Sequence, residues 1–121
     1  MTIEALLFRI ARSRIGRLFA HMSFALPLHR LRETQSLVAF HHPRPSYPVH
    51  ILLVPKKAIA SLTELTTGDK DFIADLFPTV QSLVAEFDLE AAGYRLVVNG
   101  GPSQDVAVLH FHLISETERA S

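Results

Sequence analysis

The chain has 121 residues and a mass of 13.5 kDa, a length that predicts a single domain. Apolar residues make up 48% of the chain and charged residues 20%, a composition that excludes a disordered chain. The chain has no cysteine, which excludes disulfides, a cysteine nucleophile and a thiolate zinc site. The net charge is zero, with nine basic and two acidic residues in 1–57 and three basic and ten acidic in 58–121, so a uniformly basic nucleic-acid-binding protein is not expected.

The N-terminal segment is apolar but interrupted by charge. Residues 3–24 have apolar side chains at helical spacing and predict a helical extension over residues 1–26, broken near Gly16. Neither a membrane span nor a secretory signal tolerates the regular arginines at positions 9, 12, 14 and 17, so we expect a cytoplasmic protein. This extension is interpreted as a helix packed on the domain or across a dimer interface. A helix lying on anionic lipid is the alternative.

The middle of the chain predicts two strands and one long helix. Strands are expected over residues 36–40 and 49–54, and the three prolines of the intervening residues 41–48 predict a rigid loop. Residues 66–89 carry apolar side chains at helical spacing, with Thr66 or Thr67 as the N-cap. Pro78 is expected to kink or split this helix.

The C-terminal third predicts a hairpin. Strands are expected over residues 94–98 and 106–115, joined by a short glycine-rich turn at residues 99–104. Together the elements predict an α+β domain with an antiparallel sheet of about five strands, the long helix and the N-terminal helices. We expect one domain over residues 1–121, with its core at residues 36–115.

Two histidines on the last predicted strand are the strongest candidates for chemistry. His110 and His112 are two residues apart, so both side chains point to one face, about 6.6 Å apart along the strand. Leu109, Phe111 and Leu113 then point into the core. An imidazole with a pKa near 6.5 acts as a neutral nucleophile or a cationic donor near neutral pH. A half-exposed strand face with incidental histidines is the alternative.

The loop before that strand suits an anion. Gly100 and Gly101 allow backbone amides to turn toward one point, and Asn99, Ser103 and Gln104 add neutral hydrogen-bonding groups. An ordinary hairpin turn is the alternative. A metal pair at His110 and His112 is a further alternative, but no acidic residue is close to the pair in sequence, and we expect neither metal nor cofactor.

Three blocks of the chain resemble the histidine triad (HIT) family of nucleotide hydrolases and transferases, and most closely its small Hint-like branch. They are LVAFHHPRPSYPVHILLVPKKAIASLTEL at residues 37–65, GYRLVVNGG at residues 93–101 and QDVAVLHFHLIS at residues 104–115. The last resembles the signature in which three histidines alternate with apolar residues. In this chain Val108 stands where the family has its first triad histidine.

The resemblance implies the reaction and the roles of individual residues. His110 is implied as the nucleophile that forms a nucleotidyl-histidine, His112 as the donor to the phosphate and the leaving group, and His50 as a histidine that orients them. Asn99, Ser103 and Gln104 are implied as phosphate contacts. His42 stands where many members carry an acidic ribose ligand, and an imidazole accepts fewer hydrogen bonds than a carboxylate.

The resemblance also implies a small-molecule nucleotide substrate and a homodimer built by joining two sheets. We therefore expect one of two functions. The first is a hydrolase or transferase acting on phosphoramidates, nucleotidyl sulfates or dinucleoside polyphosphates. The second, prompted by Val108 and His42, is a non-catalytic module that binds a nucleotide or another anion, with membrane contact through residues 3–24 as a variant.

Overall fold

Five strands form one antiparallel sheet in the computed structural model, which describes residues 30–117. The strands lie in the order β1-β2-β3-β5-β4, so β1 and β4 are the two edges of the sheet. This architecture confirms the predicted α+β class and its antiparallel sheet. The strands are β1 (Arg30–Glu33), β2 (Leu37–His41), β3 (Val49–Pro55), β4 (Arg95–Val98) and β5 (Phe111–Ser115).

The helical part lies between β3 and β4. Short 3₁₀ turns at Leu62–Glu64 and Thr67–Asp69 precede the main helix α1 (Lys70–Glu86), and a single turn, α2 (Leu89–Ala92), follows it. The predicted cap at Thr66 is confirmed: its hydroxyl accepts from the Gly68 amide, and its own amide donates to Asp69 at 3.0 Å.

The interruption of the predicted helix is not at the proline. α1 continues through Pro78, because Pro78 and Ala74 lie on the exposed face, where water can reach the Ala74 carbonyl that loses its amide partner. The helix ends instead at Glu86, with Phe87 as its C-cap, and Asp88 adopts a left-handed conformation with φ of 57°. The long predicted helix over residues 66–89 is therefore a 3₁₀ turn, α1 and a separate α2.

Two features of the sheet differ from the prediction. β1 was not located from the sequence, because its four residues RLRE show no apolar pattern; it pairs with β2, and Arg32 bonds Glu86 of α1 at 2.7 Å. β5 begins at Phe111 rather than at residue 106. The preceding stretch instead contacts the segment after β3, where the Leu109 amide donates to the Ile59 carbonyl at 2.7 Å.

The two faces of the sheet have different roles. One face packs against α1 in the main core, to which Leu53, Phe111 and Leu113 belong, as do Phe72 and Leu83 of α1. Burial of Leu109, Phe111 and Leu113 confirms the predicted alternation of the last segment. Side chains alternate along a strand, so His50 and His112 project from the opposite face.

The predicted N-terminal helices over residues 1–26, with the apolar segment 3–24, lie outside the described residues. The predicted core at residues 36–115 lies within them. Within residues 30–117, no helix combines the length and the apolar character needed to cross a membrane.

Candidate active site

Four histidines lie close together on the sheet face opposite α1. His50 is on β3 and His112 on β5, His110 immediately precedes β5, and His42 immediately follows β2. Their ring centroids are 5.2 Å apart for His50 and His112, 5.0 Å for His110 and His112, and 4.4 Å for His42 and His50. The fold therefore brings together the three predicted catalytic histidines and one predicted substrate residue.

The strand register explains how His50 meets His112. Leu52 lies directly opposite His112 in the β3–β5 ladder, and His50 lies opposite Ile114. His50 and His112 are thus diagonal neighbours on one face, a distance that aromatic side chains can bridge. Their rings join through His50 Nε2 and His112 Nδ1, which are 2.9 Å apart.

The hydrogen-bond network assigns the protons of His50 and His112. The Ser46 amide donates to His50 Nδ1 at 3.1 Å, so a neutral His50 carries its proton on Nε2. That proton is then donated to His112 Nδ1. A neutral His112 consequently carries its own proton on Nε2, where it can serve as a donor to a ligand.

His110 has the opposite tautomer. Its Nδ1 lies 2.7 Å from the Val108 carbonyl oxygen, which only accepts, so Nδ1 carries the proton and donates it. Nε2 of a neutral His110 therefore holds a lone pair. This orientation uses the backbone of Val108, and a valine side chain at that position leaves it intact.

Burial keeps three of the four histidines, His42, His50 and His112, neutral. It is the main cause that lowers the pKa of His42, His50 and His112, each to about 4. Repulsion between the rings adds to the effect: His112 and His110 lower the pKa of His42, His42 lowers that of His50, and His110 and His50 lower that of His112. At neutral pH these three imidazoles are uncharged.

The depressed pKa of His50 predicts acid sensitivity. His50 is 7% exposed, and its pKa falls from 6.5 to about 4 on folding. Above pH 6.5 both states are neutral and the group has no effect on stability. Between pH 6.5 and 4 the unfolded chain binds a proton that the folded His50 does not, so the free energy of unfolding decreases as pH falls. We expect a loss of about 2 kcal/mol from this group between pH 7 and pH 5.

Urea unfolding followed by circular dichroism at pH 7 and pH 5 measures this loss. The matched variant is His50→Gln, whose amide retains a donor toward His112 but does not titrate. Its stability should fall less than that of the wild type between the two pH values. An equal fall in both proteins would contradict a buried, neutral His50.

The predicted phosphate loop is longer and more structured than a simple turn. It runs from residue 99 to 110 and contains a 3₁₀ turn at Gly101–Ser103, where Gly101 has a φ of 57° that favours glycine. Ser103 is exposed in this turn, and Asn99 is half-buried beside the histidines. Gln104 Nε2 donates to the carbonyls of Ala60 and Val106 at 2.7 and 2.8 Å. Its amide nitrogen therefore anchors the loop, and the remaining side-chain atom, Oε1, is an acceptor that cannot donate to a phosphate.

His42 contributes a ring at the position where many members of the resembled family carry an acidic residue. It stacks on His50 with an interplanar angle of 26°, and its Nδ1 accepts from the Arg44 amide at 3.0 Å. Two backbone amides of the proline-rich loop therefore orient the histidine rings. The Arg44 amide donates to His42 and the Ser46 amide to His50. Within residues 30–117, no group of three or more histidine or acidic side chains is arranged to hold a metal ion.

Two residues beside the cluster were not predicted from the sequence. Tyr47 and Arg95 line a cleft of about 300 Å³ together with His50, Asn99 and His112. Arg95 begins a strand that was predicted, and alternation places it on the same face as Val97. Only the pairing of Val97 with His112 shows that this face is the histidine face.

Comparison with known proteins gives consistent results. A family model described as the HIT domain matches residues 24–119. An uncharacterized HIT-like protein of Synechococcus elongatus is 36% identical over 88 residues, which cover 73% of this chain and 76% of the relative.

Solved structures agree in fold. A HIT family hydrolase from Legionella pneumophila matches with a TM-score of 0.67 and 31% identity, covering 73% of this chain and 80% of that one. A histidine triad nucleotide-binding protein from Candida albicans matches with a TM-score of 0.62 and 29% identity, covering 69% and 62%.

Proposed function

The chain belongs to the HIT domain family, and on that premise we propose that it is a hydrolase or transferase of nucleotidyl compounds. The bond cleaved joins the α-phosphorus to a leaving group, as in a phosphoramidate, a nucleotidyl sulfate or a dinucleoside polyphosphate. The reaction proceeds through a nucleotidyl intermediate on His110.

One observation carries the proposal. His110 donates from Nδ1 to the Val108 carbonyl, so a neutral ring has its lone pair on Nε2, and the ring centroid lies 5.0 Å from that of His112. A nucleophile needs such a lone pair, and a nearby proton donor assists departure of the leaving group. The nucleophile keeps this geometry although Val108 replaces the first triad histidine.

The proposed reaction has two steps. The lone pair of His110 Nε2 forms a bond to the α-phosphorus while the bond to the leaving atom breaks. That atom keeps the electron pair and takes a proton from Nε2 of a protonated His112. Water then attacks the phosphorus, the bond to Nε2 breaks with its electron pair returning to His110, and the water proton passes to His112.

The bound phosphate makes His112 a proton donor. In the free protein the pKa of His112 is about 4, mainly because it is buried. A negative charge on the α-phosphate next to the ring stabilises the protonated form and raises that pKa. In the free protein His50 is a positioning residue, because its Nε2–H donates to His112 Nδ1 at 2.9 Å. When His112 is protonated its Nδ1 becomes the donor, so His50 Nε2 has to accept and His50 takes its other tautomer. Asn99 lines the cleft beside His50 and His112, and Ser103, Gln104 and His42 are the other proposed ligand contacts.

Phosphorus NMR with an adenosine phosphoramidate tests the function. Release of AMP by the wild-type protein supports the proposal. Broadening of the substrate signal without AMP would instead favour the alternative, a non-catalytic nucleotide- or anion-binding module. Val108 and His42 are the two residues that motivate this alternative. A signal unchanged in position and width would contradict both.

We also propose a homodimer that forms through β4. β4 is an edge of the sheet, and its residues RLVV offer an apolar, hydrogen-bonding edge to a second copy, whereas the opposite edge, β1, has the charged sequence RLRE. Pairing of two β4 strands would produce one continuous sheet.

Sedimentation should therefore give a mass of twice 13.5 kDa. In hydrogen exchange, the outward-facing amides of β4 should become less protected when the protein is diluted toward monomer. A mass of one chain at every concentration would contradict this assembly.

A further inference from the structure

A cleft beside the histidines is lined by an arginine that has no role in the proposed reaction. It occupies about 300 Å³, and Tyr47, His50, Arg95, Val97, Asn99 and His112 are among the residues that line it. Among the described residues that line it, Arg95 is the only arginine or lysine and none is acidic. Such a cleft favours a negatively charged group.

The register places Arg95 within reach of the reacting atoms. His112 pairs with Val97 of β4, and Arg95 lies two residues away on the same face, opposite Ile114. Two residues of a strand span about 6.6 Å. A ligand whose leaving atom receives a proton from His112 would therefore extend along β4 toward the Arg95 guanidinium.

Tyr47 connects the cation to the histidines. The Arg95 guanidinium carbon lies 5.8 Å from the centre of the Tyr47 ring, and that ring meets His50 edge-on at 5.5 Å. Cation–π contact holds the guanidinium over this side of the cleft. Together with Val97 and Ile114, the tyrosine ring provides apolar surface for the carbon atoms of a ligand.

The present partner of Arg95 is easily replaced. Arg95 Nη2 bonds Glu116 Oε1 at 3.0 Å, and the two side chains are 58% and 75% exposed. Ion pairs this exposed contribute little to stability. An anion held at the adjacent catalytic centre can therefore compete with Glu116 for the guanidinium.

We propose that this cleft is a leaving-group subsite that selects leaving groups bearing a negative charge, such as a carboxylate or a sulfonate, and that Arg95 is the residue that recognises the charge. The inference rests on the proposed function, since it assigns the part of the substrate that departs. Arg95 acts on specificity and takes no part in the bond changes at phosphorus.

Matched adenosine phosphoramidates test this subsite. The probes carry β-alanine, its uncharged amide, or taurine on the phosphorus through their amines, so that charge is varied at nearly constant shape. Wild-type kcat/KM should be roughly tenfold higher for β-alanine or taurine than for the amide. A preference for only one of the two anions identifies which acid the cleft accepts. No preference for either anion over the amide would overturn the proposal.

Variants locate the preference. Arg95→Gln should reduce the ratio of kcat/KM for an anionic probe to kcat/KM for the amide probe to about one, while kcat/KM for the amide stays unchanged. Arg95→Lys should retain part of this preference. Arg44→Gln, which removes an exposed arginine on the neighbouring loop, should retain all of it. An equal loss for charged and uncharged substrates in Arg95→Gln would overturn the proposal.

Binding separates this proposal from the proposed function. Dissociation constants for the β-alanine and amide probes, measured by calorimetry on wild type and Arg95→Gln, report the subsite even if no probe is hydrolysed. Absence of turnover with an anion preference that depends on Arg95 would refute the enzyme and support only the recognition of negative charge by Arg95. Turnover without such a preference would refute the subsite alone.

Discussion

Replacing His110 with alanine is expected to reduce turnover of an adenosine phosphoramidate by more than about 10⁴-fold while ligand binding remains. In a neutral His110, Nε2 is the nitrogen that holds the lone pair, because Nδ1 donates to the Val108 carbonyl. Without it, His112 remains as a donor but no group forms the covalent intermediate. AMP release followed by phosphorus NMR gives the rate, and calorimetry gives the dissociation constant.

A matched control is available in His41. This histidine is exposed at the end of β2, where its ring meets Phe87 rather than the cluster. His41→Ala removes the same side chain from the other side of the sheet and should turn over at the wild-type rate. Equal activity of the His110→Ala variant and the wild type would refute the nucleophile assignment.

Replacing His112 with alanine should have the second-largest effect, a decrease in turnover of about 10²–10⁴-fold, the range of a general acid. A series of hydrogen bonds runs from the Ser46 amide through His50 to Nδ1 of His112. Nε2 of His112 is therefore the nitrogen that can donate to the ligand. The decrease should be large for an amine or alkoxide leaving group. It should be small for a phenolate that departs without a proton.

Rates for a series of leaving groups of different pKa measure this dependence. In His112→Ala the rate should fall steeply as the leaving-group pKa rises, and in the wild type the dependence should be shallow. His50→Gln serves as the comparison, because it keeps a donor toward His112 and should show an intermediate slope. A slope unchanged by His112→Ala would show that His112 does not protonate the leaving group.

Val108 stands where the resemblance implies the first triad histidine, and its backbone contacts the proposed nucleophile. Its side chain is buried, with 3% exposure, and its carbonyl oxygen orients His110 at 2.7 Å. The contact that prepares the nucleophile is therefore independent of the side chain at this position. A backbone role of this kind is invisible in a sequence pattern, where only the replacement of histidine by valine is apparent.

Local patterns identified most of the elements and the central histidines. Alternation around Phe111 and Leu113 predicted which side chains are buried, because a strand with one face in the core must alternate. Thr66 predicted the start of the helical region through hydrogen bonds to residues two and three positions away. These features depend on residues that are close together in the sequence, so the local sequence was enough to predict them.

By itself, the sequence determined the α+β class, the helical region, and His110 and His112 on one face. Only the tertiary structure decided where β5 begins, that His42 stacks on His50, and that Arg95 shares a cleft with His112. Each of these depends on contacts between segments far apart in the chain, such as the Leu109 amide with the Ile59 carbonyl. Strand register and loop packing set those contacts, and a local pattern of residues does not contain them.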